Sequence, residues 1–371
     1  MKIVVFLFLL SLTSFANLSV ESFNTGLAHT YVPLAQERIP HIISNLKENQ
    51  SDVLCLQEVW KKEDRDRIVR ELKEVYPHSF FYEIKQIRTK KKPSCGIRDL
   101  FGKNKFVNCT LKECKGKDGD DFTSCVLDKC AGPMERLKND NRMCANALQA
   151  QVGRSSVSAV LQVLNPFKGA SLLAYGGGDG LLLLSKKKIS RTFHIDLADI
   201  STLNKRAALV AELSTGERIA CTHLTANLSD SVSYAGKFSS WKEENEKQIE
   251  RLIESYDKSK QKIYVAGDFN CSFSTGGLKG DWEDNCQKIL DHGFINEFVQ
   301  NSPVCTYCSS NSLNDEGIDD LLIDHIFVKN VEVRSQIRSR DSLISIDDEK
   351  HNLSDHCGLR LISKCDYFLY Y

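Results

Sequence analysis

The chain has 371 residues, 42% hydrophobic and 26% charged, an ordinary globular composition with room for one large domain or two small ones. Lys and Arg (49) balance Asp and Glu (49), so the formal net charge is zero. No global basic field gathers nucleic acid and no global acidic field repels it, so any such preference must be local.

The first sixteen residues read as an export signal rather than as part of the fold. Lys2 precedes an apolar core, Ile3 to Leu10, and the small residues of Ser14-Phe15-Ala16 fit a signal-peptidase site with cleavage before Asn17. That run is too short to span a bilayer, and no later segment is long and apolar enough. The expectation is an exported protein, secreted or periplasmic. Fourteen cysteines agree with it, since disulfides persist in oxidising compartments. Cys55, Cys221 and Cys271 lie within or beside apolar strands and read as core thiols. Cys305-Thr306-Tyr307-Cys308 lacks a second such pair or nearby histidines, so it reads as a local or longer-range disulfide pair and not a zinc site.

Leu18 to Phe23 alternates and predicts a first strand, ending at Asn24-Thr25-Gly26. Ile39, Ile42, Ile43 and Leu46 give one apolar face to a helix over 36–49, with Pro40 expected in its first turn. Val53 to Leu56 is a short apolar run for a buried strand, and it stops abruptly at Gln57-Glu58. A carboxylate at such a strand tip is either paired or holds a cation. A second helix spans 63–76 and stops at Pro77.

From about 85 to 162 the character changes. Lys85, Arg88, Lys90, Lys91, Lys92, Arg98, Lys103, Lys105, Lys112, Lys115 and Lys117 meet few acids. Cys95, Cys109, Cys114, Cys125, Cys130 and Cys144 crowd together there. Cys109 to Cys114 and Cys125 to Cys130 resemble one another, which predicts a disulfide-stapled basic insertion with two similar turns of helix. The favoured reading is a solvated decoration, since charge runs usually are; the other is a basic lid that meets phosphates.

Order resumes at Gly176-Gly-Gly-Asp-Gly180, a tight turn into a buried strand at Leu181 to Leu184; no Gly-Lys-Ser/Thr follows, so it is not a phosphate loop. Ala207 to Leu213 and Arg218 to Thr222 make a hairpin around Thr215-Gly216, ending at His223-Leu224. A charged amphipathic helix follows over 238–256, then a strand ending Gly267-Asp268-Phe269-Asn270. A further strand holds Asp324-His325, and Ser354-Asp355-His356-Cys357-Gly358 leads into the last. Mixed strands, hairpins and helices predict an α/β fold with two packed sheets and helices outside.

Polar groups therefore end strand after strand: Asn24, Glu58, His223, Asp268 with Asn270, Asp324, and Asp355 with His356. Oxygen-rich ligands with few thiols suit a hard cation, Mg²⁺ first, with Mn²⁺ and Ca²⁺ of the same class. Histidines beside carboxylates suit acid–base work. The combination points to hydrolysis of a phosphate ester.

These segments, in this order, resemble the signature of the endonuclease/exonuclease/phosphatase superfamily, and in Gln57-Glu58-Val59-Trp60, Gly177-Gly-Asp-Gly-Leu181 and Thr222-His-Leu-Thr-Ala-Asn227 they look most like neutral sphingomyelinases. The resemblance implies a four-layer α/β sandwich of two mixed sheets flanked by helices, carrying the Cys-rich insertion. It implies a metal held by Glu58 and Asn24. Asp268 and Asn270 would orient the nucleophile and contact phosphate. His356 would act as general base with Asp324 or Asp355 orienting it, and His223 would stabilise the transition state or protonate the leaving group. Which of Asp324 and His325 faces the site stays open, a core role being the commoner one for such a histidine. The implied substrate is sphingomyelin at a phospholipid surface, with a secreted nuclease acting on DNA or RNA as the alternative and a phosphoinositide phosphatase third. A binding module that keeps only the fold is the reading from another class, and the presence of every motif residue argues against it. No obligate protein partner is evident.

Overall fold

The computed structural model describes residues 17–29, 31–48, 50–82, 93–151, 156–165, 175, 178–229, 234, 236–256, 260–301 and 303–364. The signal-peptide reading, the basic cluster at 85–92, Gly176-Gly177, Cys365 and the aromatic tail fall outside these residues. In chain order come β1 (Asn17–Asn24), α1 (Ala35–Glu48), β2 (Val53–Gln57), α2 (Lys62–Leu72) and β3 (His78–Phe80). Six helices follow: α3 (Ile97–Leu100), α4 (Phe106–Glu113), α5 (Gly119–Lys129), α6 (Ala131–Asp140), α7 (Arg142–Gln149) and α8 (Ser156–Val163). The chain then builds β4 (Leu182–Ser185), β5 (Ile189–Asp196), β6 (Ala207–Leu213), β7 (Arg218–His223), α9 (Trp241–Glu254), β8 (Ile263–Asp268), α10 (Glu283–Asp291) and α11 (Glu297–Gln300). It closes with β9 (Asp324–Lys329), β10 (Val333–Ser339), β11 (Leu343–Ile346), β12 (Glu349–Asn352) and β13 (Gly358–Lys364).

The strands form two mixed sheets, β10-β13-β1-β2-β4-β3 and β5-β6-β7-β8-β9, with β11-β12 as a separate ribbon. Their apolar pattern explains the layering. In β2, Val53 and Cys55 face the second sheet, where they pack with Leu209, Cys221, Tyr264 and Ile326. Leu54 and Leu56 face the other way, onto Ile39, Ile42, Ile68 and Leu72 of α1 and α2. Across the molecule, Ala208, Val210, Ala220 and Val265 turn outward onto Ile249, Leu252 and Ile253 of α9 and Ile289 of α10. A strand buried on both faces reads as a continuous apolar run, which is why β2 shows no alternation. The result is helix, sheet, sheet, helix, as expected.

Details differ from the sequence reading. α1 begins at Ala35, so Pro40 is its sixth residue and lies beyond the first turn. The helical α2 ends at Leu72, and Val75 and Tyr76 donate back to Leu72 O in a closing turn before Pro77. The three expected core thiols are oxidised instead: Cys55 pairs with Cys221 between the two sheets, and Cys271 with Cys286. Facing apolar strands bring sulfur to sulfur, a proximity that linear spacing does not reveal. Cys305–Cys308 is a local pair. In the insertion the pairs are nested, Cys95–Cys144, Cys109–Cys130 and Cys114–Cys125, so α4 and α5 are laced side by side. The insertion also has its own small core, including Phe106, Phe122, Leu137, Leu148 and Val163. Among the described residues no helix is long and apolar enough to cross a membrane.

Candidate active site

Strand register assembles the site. His223 of β7 pairs with Asp268 of β8, and Asp268 with Asp324 of β9, so three polar side chains stand in one row across the end of the second sheet. The first sheet faces them with Asn24, paired to Gln57, with Glu58 one residue beyond. Asp355 and His356 enter just before β13.

The row closes into a network. Asp268, Asp324 and His356 offer ligand atoms within 4.8 Å of one another. His356 Nδ1 lies 2.8 Å from Asp324 Oδ2, and its Nε2 is 4.0 Å from Asp355 Oδ2. Asn24 Nδ2 donates to Asp268 Oδ2 at 3.0 Å, and His223 Nε2 lies 3.5 Å from that same oxygen. Asn24 also hydrogen-bonds Glu58. The Asn270 amide N–H donates to Asp268 Oδ1 at 2.9 Å, while its side chain donates to Leu224 O at 3.1 Å.

Local backbone chemistry aims these groups. Glu58 leaves β2 with φ +60°, and Asn270 takes φ +52°, both in the left-handed region that a non-glycine residue adopts only when its surroundings hold it there. Val59 N–H donates to Gly180 O at 2.9 Å, which fixes the turn carrying Glu58. Gly26, at φ +55°, is needed for close approach: a Cβ there would sit 2.1 Å from Asp355 Oδ1. Ser354 Oγ donates to Asn24 O at 2.8 Å and ties the His356 segment to the end of β1.

Burial first, then the Asp355 charge, pushes the Glu58 carboxyl up to about 7, against His356 and Arg206. Burial and Asp324 push Asp268 up to about 7 as well. Burial alone would lower His356, but Asp324 and Asp355 outweigh it and hold the imidazole well above its usual range. His223 is kept well below its usual range by burial, by Arg206 and by His356. A hard divalent cation fits this donor set. Asp324 Oδ1 is buried with no hydrogen-bond partner, and the mutually repelling carboxylates call for positive charge. Asp268, Asp324 and His356 bring ligand atoms within 4.8 Å of one another, and Asn24 and Glu58, the expected metal residues, are hydrogen-bonded beside them.

All eight expected residues thus converge. The open choice at Asp324-His325 is decided: Asp324 faces the site, whereas His325 turns into the core, between Asn296 Nδ2 (2.9 Å) and Cys271 O (2.9 Å), with burial lowering it to about 4. Three neighbours escaped the sequence reading. Arg206 is buried, its guanidinium 5.6 Å from the Trp60 ring, and its Nε and Nη1 have no hydrogen-bond partner. Its signal was the hairpin register, in which Ala208 pairs with Thr222 and thus sets Arg206 beside His223-Leu224. Asp179 in the glycine-rich turn is buried and pushed up to about 7. Tyr307 bridges His356 through the backbone, with ring centroids 5.1 Å apart; it lies inside the Cys305–Cys308 motif, which read only as a disulfide pair.

Comparison with known proteins bears on this geometry. The model of the Endonuclease/Exonuclease/phosphatase family matches residues 22–356. No curated protein matches in sequence. Among solved structures, an endonuclease/exonuclease/phosphatase from Beutenbergia cavernae is 14% identical with a TM-score of 0.52, over 94% of this chain and 72% of that one. SmcL is 15% identical with a TM-score of 0.52, over 94% and 99%. A family protein from Bacteroides thetaiotaomicron is 12% identical with a TM-score of 0.50, over 95% and 99%. At such identities the likeness is one of fold.

Proposed function

Because this chain belongs to the endonuclease/exonuclease/phosphatase family, whose members are divalent-metal-dependent hydrolases of phosphodiester bonds, we propose that it is an exported, Mg²⁺-dependent phosphodiesterase that splits sphingomyelin into ceramide and phosphocholine. The observation that carries the reading is the convergence of Asp268, Asp324 and His356 within 4.8 Å, with Asn24 hydrogen-bonded to both Asp268 and Glu58. The choice of lipid rests on the likeness of the Gln57–Trp60, Gly177–Leu181 and Thr222–Asn227 segments to neutral sphingomyelinases. Export is supported by the six disulfides among the described residues.

Asp324 holds the His356 ring through Nδ1, which leaves Nε2, 4.0 Å from Asp355 Oδ2, as the nitrogen that serves as base. It takes a proton from the attacking water as the water oxygen bonds phosphorus. The bond from phosphorus to the ceramide oxygen breaks, and His223, neutral in its buried setting, offers an N–H to the departing oxygen. Asn270 stands beside Asp268 to contact the phosphoryl group. A cation held by Glu58 and Asn24 supplies charge against the phosphoryl oxygens when bound.

The test incubates the purified protein and Mg²⁺ with sphingomyelin vesicles, plasmid DNA and a phosphoinositide in parallel, each with a chelator control. Chelator-sensitive phosphocholine release is expected; nicked plasmid alone would replace the reading with the nuclease, whose binding should weaken steeply with salt. Changing His356 or Glu58 to Ala should abolish release with an unchanged melting profile. Near-normal release in either variant would remove that residue from the site.

A further inference from the structure

The stapled insertion, with Tyr31, lines a partly open cavity of about 200 Å³ between helices α4 to α8. Phe106, Phe122, Val126, Met134, Leu148 and Ala159 form its walls. That is somewhat larger than the ~150 Å³ apolar cavity that takes up benzene, so it has room for a short stretch of aliphatic chain. The lining is mostly apolar; its polar members are Thr123, Glu135, Lys138, Gln149 and Gln151. Gln151, which is 4% exposed, and its neighbour Gln149 both border the cavity, and the Oε1 atom of each is buried with no hydrogen-bond partner. One Nε2 hydrogen of Gln151 donates to Ala147 O at 3.0 Å, and Oε1 is the atom left without a partner, an acceptor. A buried acceptor without a donor is costly, and a ligand carrying an O–H or N–H would satisfy it.

The mouth has a matching character. Leu127, half exposed, borders the cavity, as does Tyr31. Seven of the twelve exposed large apolar side chains among the described residues lie between Ile97 and Leu161, so the insertion presents apolar surface out of proportion to its size. Tyr31 also ties the cavity to the strand-end cluster. Its N–H and that of Val32 both donate to Ala28 O, and Ala28 and Val32 pack against Trp60, whose ring lies 6.0 Å from that of His223.

We propose that this cavity is a lipid-chain site. It takes one aliphatic chain of an amphiphile whose backbone carries a hydroxyl or amide N–H donor, the donor meeting Gln151 Oε1. A ceramide-type lipid has both parts, so the inference deepens the proposed function and takes its ligand class from that reading. The chain enters from the apolar face of the insertion, past Leu127.

The test uses the full-length protein and a fluorescent short-chain ceramide, with hydrolysis of the chain-less diester bis(p-nitrophenyl) phosphate as an independent readout of the catalytic cluster. Saturable ceramide binding is expected, competed about threefold to tenfold better by dodecanol than by dodecyl methyl ether, the range of one hydrogen bond. Gln151→Leu should erase that preference. Ala159→Phe, which fills the cavity, and Leu127→Glu, which charges its mouth without touching the core, should each weaken binding at least tenfold while leaving chain-less hydrolysis and melting unchanged. Absence of saturable binding, or equal affinity in wild type and Leu127→Glu, overturns the proposal. Ceramide binding without sphingomyelin hydrolysis would keep the cavity site and overturn the substrate assignment; hydrolysis without binding would do the reverse.

Discussion

Asp324 does two jobs with its two oxygens. Oδ2 holds His356 Nδ1 at 2.8 Å, and Oδ1 is buried without a partner. Asp324→Asn keeps the shape but removes the charge that orients and supports the imidazole, so kcat should fall by about 10²–10⁴-fold with little change in KM, measured on a soluble diester. Glu21 is a different kind of buried carboxylate. It accepts from Arg340 Nε at 2.7 Å and Nη2 at 2.8 Å, with Arg360 Nη2 at 3.0 Å. Burial pushes its carboxyl up, and the two guanidinium groups more than reverse that, leaving it below the usual range. A depressed carboxyl contributes stability that is present above the unfolded value and is lost as pH falls through the folded one. Glu21→Gln should therefore cost about 3–5 kcal/mol at neutral pH, leaving Arg340 buried without its carboxylate. Its urea midpoint should also fall less than that of the wild type between about pH 5 and pH 3. The first of these carboxylates was legible in the sequence because it sits in a chain of strand ends with histidines nearby. Glu21, inside an alternating strand, looked like any outward-facing residue; only the fold reveals that Arg340, more than three hundred residues away, closes over it.

At the scale of elements, the site depends on where strands stop relative to their neighbours. The row His223, Asp268, Asp324 follows from register alone, and a shift of one residue would turn each side chain to the opposite face. Strand positions and their polar ends were readable from apolar runs that halt abruptly, as at Gln57-Glu58. Pairing order was not, because it is set by contacts between segments far apart, and the same is true of the cysteine partners. Cys55 and Cys221 lie three residues before Glu58 and two before His223, and 166 residues apart. Their bridge thus clamps the sheet that carries Glu58 to the one that carries His223. Replacing both by Ala should cost about 2–5 kcal/mol in denaturant unfolding, with the fold retained under native conditions. A variant as stable as the wild type would show that packing alone holds the sheets.

For the whole molecule, charge is balanced overall but concentrated at this one mouth, where Glu58, Asp268, Asp324 and Asp355 crowd together. A cation bound there should stabilise the folded chain by mass action, about 2.7 kcal/mol at a hundredfold excess over its Kd. Thermal unfolding with Mg²⁺ against chelator should show the difference, and Glu58→Gln should lose most of it; equal melting temperatures with and without metal would argue against a site of this strength. The bridge between Cys55 and Cys221 has one more consequence. Each sheet brings half of the reactive groups, so the covalent tie between halves forms only where the surroundings can oxidise a thiol. In reducing surroundings the two halves of the site are held together by packing alone.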